Sequence, residues 1–514
     1  MKYFDNLVIG AGIGGTYLTA RLKKIKPNET ILLIDKTSEY GGQQISTITD
    51  DNVAIDLGPI RFYESIHLRI LYLAKLYNLP LTQYLPSSTG QIIYLRDKPY
   101  SLNNLFPDSD SSYNINADEI GKNPFTLLVN NLEKLIPNTQ DLYKLEYRIQ
   151  LIKENPSFSN KTFQDLAQMN ISQENWQRIM DILGYYDLLS MKSAFIINAL
   201  ESLVLSNKSE IQYRFTKGYS SLTKTIAFYN KISTINFGDI TCNNIPKTSC
   251  VFNTQILKIR KCKNSNLWIV HYGYTKVNSP EQINNKIIKI NSIKVKNIYY
   301  CAPIPLLSKL YNFNNIYVNY LTNSFLNLGA LRIFLRYSED WMTEIGIELG
   351  KSVTTLPGGQ IIHYDDKYVM FYVFSSQANV LYSKIPSRQI QKELIKPTPD
   401  TYPLIIECNN ILKKTFNITK KLPRVTGIAW ASWITPFRLY SARNLQTLDK
   451  TDTLVTMLDK MMFPFGKDGH FYVMSNEIGL NAAWCEGSVE NVDYFLNKKY
   501  NQPLFGPEML QRPL

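Results

Sequence analysis

The opening segment constrains this chain more than any other. Leu7, Val8 and Ile9 form a short apolar run, which suits a strand buried in a parallel sheet. Gly10-Ala11-Gly12-Ile13-Gly14-Gly15 comes next, then a helical stretch from Thr16 to Lys26 that ends at Pro27-Asn28. A second apolar strand, Ile31 to Ile34, runs into Asp35, twenty residues past Gly15. Strand, G-x-G-x-x-G, helix, strand and acid in that order mark a dinucleotide site. Gly10 permits the tight turn, Gly12 lets backbone approach a pyrophosphate, and Gly15 lets the helix pack closely on the strand. The helix N-terminus, with Gly14 in its first turn, offers free N–H groups and a partial positive charge to phosphates. Asp35, with Lys36 after it, would accept hydrogen bonds from the adenosine ribose hydroxyls.

The chain has 514 residues, enough for two or three domains, and is 44% hydrophobic and 19% charged, which excludes a disordered protein. The net charge of +13 is spread along the chain. Its densest basic run, Lys258 to Lys263 (KIRKCK), is short, so the charge reads as a solvated surface and no nucleic acid is expected. Cys242, Cys250, Cys262, Cys301, Cys408 and Cys485 form no CxxC, and only His67, His271, His363 and His470 accompany them. No metal site is expected, and the thiols suit a reducing compartment. Met1 to Phe4 lead straight into the first strand, which leaves no room for a signal peptide. The stretch Phe325 to Phe334 is short and interrupted by Asn327 and Arg332, so no membrane span is expected. These readings place the protein in the cytoplasm.

Residues 116–215 read as a mostly helical insertion. Leu127, Leu128, Leu132 and Leu135 recur at helical spacing, as do Trp176, Ile179, Met180 and Leu183 behind a capping Ser172. From about residue 250 the pattern turns to strands: Val251 to Ile259, Trp268 to Tyr272, Ile298 to Cys301, Arg332 to Leu335 and Tyr368 to Phe374. A last helix is expected from Ala482 to Leu496.

The glycine motif alone does not separate FAD from NAD. Two segments downstream of it do: Tyr40-Gly41-Gly42-Gln43, then Asp56-Leu57-Gly58-Pro59-Ile60-Arg61. The pair resembles the GG-R and D-x-G-x-x-R segments of the FAD-dependent amine oxidase superfamily, where they wrap the pyrophosphate and approach the flavin. The resemblance continues in scattered blocks over nearly the whole chain. Gly58-Pro59-Ile60-Arg61 is similar to the G-P-M-R of L-amino-acid oxidases, which implies that Arg61 grips a substrate carboxylate; a guanidinium fork suits two carboxylate oxygens. Lys217 to Leu222 resembles the family's glycine turn, and Asn253 to Ile259 the strand whose middle residue, here Ile256, meets adenine. Lys351-Ser352-Val353-Thr354-Thr355-Leu356-Pro357 looks closest to L-amino-acid oxidases. After it, His363 or Tyr364 stands where a family tyrosine helps bind the carboxylate. Near the C-terminus, Ser475-Asn476-Glu477 and Ala482-Ala483-Trp484-Cys485-Glu486-Gly487 are similar to the segment that binds the ribityl chain and aims a helix N-terminus at the flavin. The resemblance implies that Asn476 or Glu477 takes the acid's place, that Ala483 adjoins the cofactor, and that Trp484 forms one aromatic wall beside the flavin. Trp433 and Tyr440 are candidates for the opposite wall.

The chain departs from the family at four points. Gln43 replaces the GG-R arginine. Arg332 stands where a lysine usually holds a water against the flavin, and so becomes a catalytic candidate together with Trp484. Leu205 replaces a histidine of L-amino-acid oxidases. No Cys precedes an aromatic residue between Trp430 and Tyr440, so FAD is expected to bind non-covalently.

The expectation is an α/β fold with a doubly wound FAD-binding, Rossmann-like domain (1–66, 216–302 and 431–514). A mixed-sheet substrate domain (67–115 and 303–430) and the helical insertion (116–215) complete it. The resemblance implies oxidation of a primary amine or L-amino acid by hydride transfer, with molecular oxygen as acceptor and hydrogen peroxide released. It leaves room for a homodimer. Two alternatives stay open: another flavin oxidoreductase of this fold, such as a desaturase or porphyrinogen-type oxidase, and a flavoprotein scaffold without catalysis.

Overall fold

The computed structural model describes residues 1–84, 91–101, 105, 109–138, 141–184, 211–263, 265–275, 287–313, 318–319, 322, 325–327, 329–347, 350–365, 367–386, 390–433, 438–440, 454–481 and 484–506. The fold is α/β, built on two large sheets. The first sheet grows outward from the strand Lys2–Ile9, whose Leu7 and Val8 are fully buried. Ile31–Ile34 pairs with it in parallel on one side, with Thr248–Val251 and Ser233–Thr234 beyond, also parallel. On the other side lies Ile287–Tyr300, parallel over residues 293–300. Phe471–Val473 joins the end of that strand in parallel, and Trp268–Thr275 and Thr254–Lys261 extend its beginning as an antiparallel meander.

The parallel strands therefore send their carboxyl ends to one edge. Asp35, Gly10, Cys301 and Met474 come directly after those ends, and such an edge is where doubly wound sheets hold ligands. The helix after the glycine loop spans Ile13–Ile25, three residues earlier than its apolar pattern suggests. Glycines score poorly as helix formers, but here packing against the first strand decides the start. That helix packs against Ser220–Tyr229 and Cys485–Tyr500.

The second sheet runs Ile390–Ile395, Val425–Trp433, Ala330–Tyr337, Tyr368–Phe374, Gln360–Asp365, Gly350–Thr354, Ile92–Leu95 and Lys98–Ser101. It is antiparallel except where Gly350–Thr354 meets Ile92–Leu95. Alternation divides its side chains. Leu331, Ile333 and Leu335 face a core shared with Leu404, Ile411 and Leu412 of the helix Tyr402–Thr415. Ala330, Phe334, Ile362, Tyr364 and Trp433 face Ile55, Leu57 and Ile60, in the segment downstream of the glycine turn at 41–42.

The helices Pro124–Leu135, Leu145–Glu154 and Gln173–Leu183 bear out the helical spacing; Ser172 caps the last by accepting from the Asn175 N–H. Gln212–Phe215, at the end of that stretch, is instead a strand between Phe62–Tyr63 and Leu81–Tyr84.

A buried ionic network fastens the last helix to this frame. Arg69 contacts Glu486 and Glu490, each at 3.1 Å, and Asp493 at 3.3 Å. Arg148, from the helical insertion, bonds Glu490, and Arg21 bonds Asp493 at 3.0 Å. Glu486 also accepts the backbone N–H groups of Arg69 and Ile70, so it caps the helix Leu68–Leu76 from outside. Burial pushes Glu486 up to about 7, against the pull of Arg69. Arg69→Met would leave three buried carboxylates short of a cation and should cost about 3–5 kcal/mol by urea unfolding. Removing Arg69 raises Glu486 and Asp493 further in the folded state only. Stability is then present where they are protonated and lost as pH rises, so the deficit should be larger at about pH 8 than at about pH 5.5.

Candidate active site

The glycine loop meets its partners at the carboxyl edge of the parallel strands. A Cβ on Gly15 would lie 1.9 Å from the Gly10 carbonyl oxygen, so the helix can approach the strand only through glycine there. Gly12 differs: a Cβ would meet nothing closer than the Gly41 carbonyl oxygen at 3.8 Å. The protein's own packing does not demand glycine at 12. The space a methyl would fill lies between the N-terminus of Ile13–Ile25 and the glycine pair 41–42, as a pyrophosphate cradle requires. Gly42 closes the other side, with a Cβ position 3.1 Å from the Gly12 Cα.

Asp35 is buried and ties the loop down. It accepts the Ala11 N–H at 2.6 Å, and the Thr37 N–H and hydroxyl at 2.7 Å each. A carboxylate has room for about four acceptor contacts, so capacity remains for a ribose hydroxyl. Ile256 is buried in the strand Thr254–Lys261, whose first N–H bonds the Asp35 carbonyl. Gln44, one residue past Gln43, donates to the Cys485 Sγ at 3.2 Å and accepts from the Thr223 hydroxyl. It thereby joins the 41–44 turn to the N-terminus of Cys485–Tyr500.

Asp56 organises the next layer. It accepts the Tyr219 N–H at 2.7 Å and the Ser46 hydroxyl at 2.5 Å, which fixes the glycine turn at 217–222. Tyr364 reaches it from the second sheet at 3.4 Å, and the Trp433 indole N–H donates to the Leu57 carbonyl at 2.7 Å. Full burial pushes Asp56 up to about 6.

Arg61 is buried, with its guanidinium 5.4 Å from the Tyr84 ring centroid. Two further groups feel its charge. His67 is pushed down to about 3, and Lys351 down to about 7, in each case by burial first and by Arg61 second. Lys351 pairs in register with Ile362, so it shares the face that carries Tyr364. The His67 ring lies 4.5 Å from the Trp484 ring, and Tyr63 lies 5.8 Å from it. His67 thus stands between the Arg61 charge and the Trp484 ring. Arg332 is buried on the same face of the sheet, its guanidinium 3.5 Å from the Tyr372 ring centroid.

The structure thus brings Arg61, Tyr364, Trp433 and Arg332 to one face. His363 is not brought there. Its neighbours Ile362 and Tyr364 point inward, so alternation turns it outward, where Nδ1 meets the Ile347 carbonyl at 3.1 Å and Nε2 meets Asp340 at 3.5 Å. Sequence reasoning missed Lys351 as a site residue, although it opens the K-S-V-T-T-L-P block. It also missed His67, whose burial only the folded chain reveals. Glu477 is engaged by the Ser475 hydroxyl, whereas no partner of the buried Asn476 Oδ1 is found among the described residues. Ala483, Leu205 and the side chain of Tyr440 lie outside the described residues. Among those residues no cluster of His, Cys, Asp or Glu could hold a metal, and no helix is long and apolar enough to cross a membrane.

Residues 8–72 match the family described as NAD(P)-binding Rossmann-like domain. Over its length the chain is 20% identical to an uncharacterized protein of Acanthamoeba polyphaga mimivirus, covering 96% of this chain and 94% of that one. Among solved structures it is similar to a double mutant of putrescine oxidase from a structure-based redesign of cofactor binding. The TM-score is 0.63 at 12% identity, over 98% of this chain and 100% of the other. A single mutant from the same redesign gives 0.63 at 12%, over 97% and 99%. At this identity the similarity shows the fold.

The two glycines should separate in experiment. Gly15→Ala should fail to yield folded protein. Gly12→Ala should melt within about 2 °C of the parent, since its methyl meets only ordinary contacts, yet lose dinucleotide affinity by at least about tenfold. Thermal unfolding and dinucleotide titration check both.

Proposed function

We propose that the protein is an FAD-dependent oxidoreductase that oxidises an amine, with an L-amino acid as its substrate class. One observation carries the cofactor half: Gly12, between a helix N-terminus and the 41–42 glycines, is a glycine that the protein's own packing does not require. The orphaned Asn476 Oδ1 beside the N-terminus of Cys485–Tyr500 supports a polar ligand along the same edge. Gly10, Gly12, Gly14 and Gly15 would hold the pyrophosphate, with Gly42, Gln43, Gly58, Pro59 and Ile60 around it. Asp35 and Lys36 would take the ribose, Ile256 the adenine, and binding would be non-covalent. Bound FAD would supply the redox chemistry, accepting hydride from the substrate α-carbon.

The protein's part is orientation and protonation. Arg61 would grip the carboxylate, and Lys351 would add a second charge below about pH 7. Putrescine, named for the structural neighbours, carries two positive charges in water, so a wall holding Arg61 and Lys351 opposes it and favours a substrate with an anionic end. Trp484, Tyr63 and His67 line a desolvated patch in which a neutral amine is favoured, as the transfer requires. Arg332 would keep a fixed positive charge where oxygen is reduced. The imine would then hydrolyse in water, with hydrogen peroxide as the second product.

The test is an absorbance spectrum of purified protein before and after anaerobic addition of separate L-amino acids and diamines. Flavin bands that bleach with an amino acid are expected. Protein that takes no flavin after reconstitution removes the reading. Arg61→Met should raise KM for that amino acid by about a hundredfold with a smaller change in kcat. In the parent, KM should rise as pH passes upward through about 7, because Lys351 loses its proton there. Lys351→Met should raise KM at low pH and flatten that step.

A further inference from the structure

The basic run Lys258 to Lys263 is short in sequence, and the fold enlarges it. In Thr254–Lys261 a bulge falls between Ile256 and Lys258. The bulge reverses strand parity, so Ile256 points into the core while Lys258 and Arg260 point outward. Register then extends each of them into a row. Lys258 pairs with His271 and His271 with Ser292; Arg260 pairs with Ile269 and Ile269 with Lys294. Lys296, two residues on, continues the same side of Ile287–Tyr300. Trp268, Val270 and Tyr272, the alternate residues of the middle strand, are fully buried behind them. One open side of the meander therefore carries Lys258, Arg260, Lys294 and Lys296, all exposed, and none of the four is in an ion pair among the described residues.

The carboxylates at its border are engaged. Asp5 accepts the Thr30 N–H and hydroxyl at 2.8 Å each, and Glu29 pairs with Lys26 at 3.0 Å. His271 registers the uncompensated charge: after burial, it is Arg260 and Lys258 that hold its pKa down. An apolar part lies at the end of the same side. Ile290 pairs with Gly273, two residues along from His271, and a Cβ on Gly273 would lie 2.6 Å from the Ile287 Cγ2. Ile288 and Ile290 are 63% and 61% exposed. Adjacent isoleucines left in water beside a cluster of cations suit an anionic bilayer, whose headgroups attract the cations and whose acyl boundary takes the aliphatic ends. A single-stranded nucleic acid would use the charge but needs rings to stack on, and the described part of this side offers only Tyr3, beside Lys294 at its edge.

We propose that this side of the meander is a docking surface that seats the protein on an anionic lipid bilayer, with Lys258, Arg260, Lys294 and Lys296 over the headgroups and Ile288 and Ile290 entering the acyl boundary. The docking is peripheral and does not depend on the flavin reading. The strand Thr254–Lys261 serves both, with Ile256 on its inner side and the cations on its outer side.

The experiment sediments the full chain with vesicles of phosphatidylcholine alone, and of phosphatidylcholine carrying phosphatidylserine at about a third of the lipid. Binding to the second alone is expected, weakening as salt is raised. Lys258→Gln, Arg260→Gln, Lys294→Gln and Lys296→Gln combined should lower the partition coefficient at least about a hundredfold. Ile288→Ser with Ile290→Ser should lower it at least about tenfold. Both variants should melt within about 2 °C of the parent, since every substituted side chain is exposed. The isoleucine variant keeps the test decisive should the charge variant melt early. A parent that leaves both vesicles alone, or binds them equally, overturns the proposal. So does a charge variant or an isoleucine variant that binds as the parent does. A parent that binds a single-stranded oligonucleotide and no vesicle replaces the lipid by nucleic acid and overturns it as well.

Discussion

Three backbone carbonyls press hardest into space that a Cβ would need. The Gly10 oxygen sits against Gly15, the Gln43 oxygen against Gly58, and the Asn481 oxygen against Gly487, each 1.9 Å from the Cβ position. No side-chain rotation relieves such a contact, because the opposing atom is backbone. Each contact ties two segments at the rim of one crevice, and together they draw in the start of the chain, the 41–58 segment and the last helix. A glycine costs a helix about 0.5–1 kcal/mol in conformational entropy. Here that loss is offset by a packing distance no other residue allows. The Arg69 network and the Gln44 bonds to Thr223 and Cys485 then hold the drawn-in parts at fixed angles.

The second sheet depends on that rim. Its inner face rests on Ile55, Leu57 and Ile60, and polar bonds from Tyr364 and Trp433 reach Asp56 and Leu57. The sheet is therefore positioned by the segment that continues from the glycine pair. Arg61 lies at the end of this segment, so the cationic wall and the dinucleotide edge are parts of one continuous stretch of chain. Shifting either moves the other.

How much was legible from residues alone depends on the range of the forces involved. The first strand, glycine loop, second strand and Asp35 stand where local chemistry places them, and Tyr368–Phe374 has the expected bounds. These elements carry their own signals: apolar runs, glycines and a terminal acid. The choice between His363 and Tyr364 turned on strand parity, where a one-residue shift reverses the face. Only the register with Tyr368–Phe374 and the core beneath it decides that. Lys351 and His67 gain their character from desolvation together with the Arg61 charge, which the folded chain brings to both. A lysine at the head of K-S-V-T-T-L-P reads as an ordinary strand residue until desolvation and the Arg61 charge act on it.

Burial acts on the whole inner face in one direction, toward the uncharged form of each group. Asp56 is pushed up to about 6, His67 down to about 3 and Lys351 down to about 7, with desolvation the largest cause in all three. Arg61 and Arg332 resist, since a guanidinium does not give up its proton in a protein. An environment that discharges a lysine discharges a substrate ammonium by the same physics, while the persistent Arg61 charge still holds a carboxylate. Under the proposed function, the two ends of an amino acid would be treated oppositely. A diamine would meet the desolvation without the compensating anchor, which is why the proposed substrate class rests on the charge of this face and not on the fold shared with putrescine oxidase.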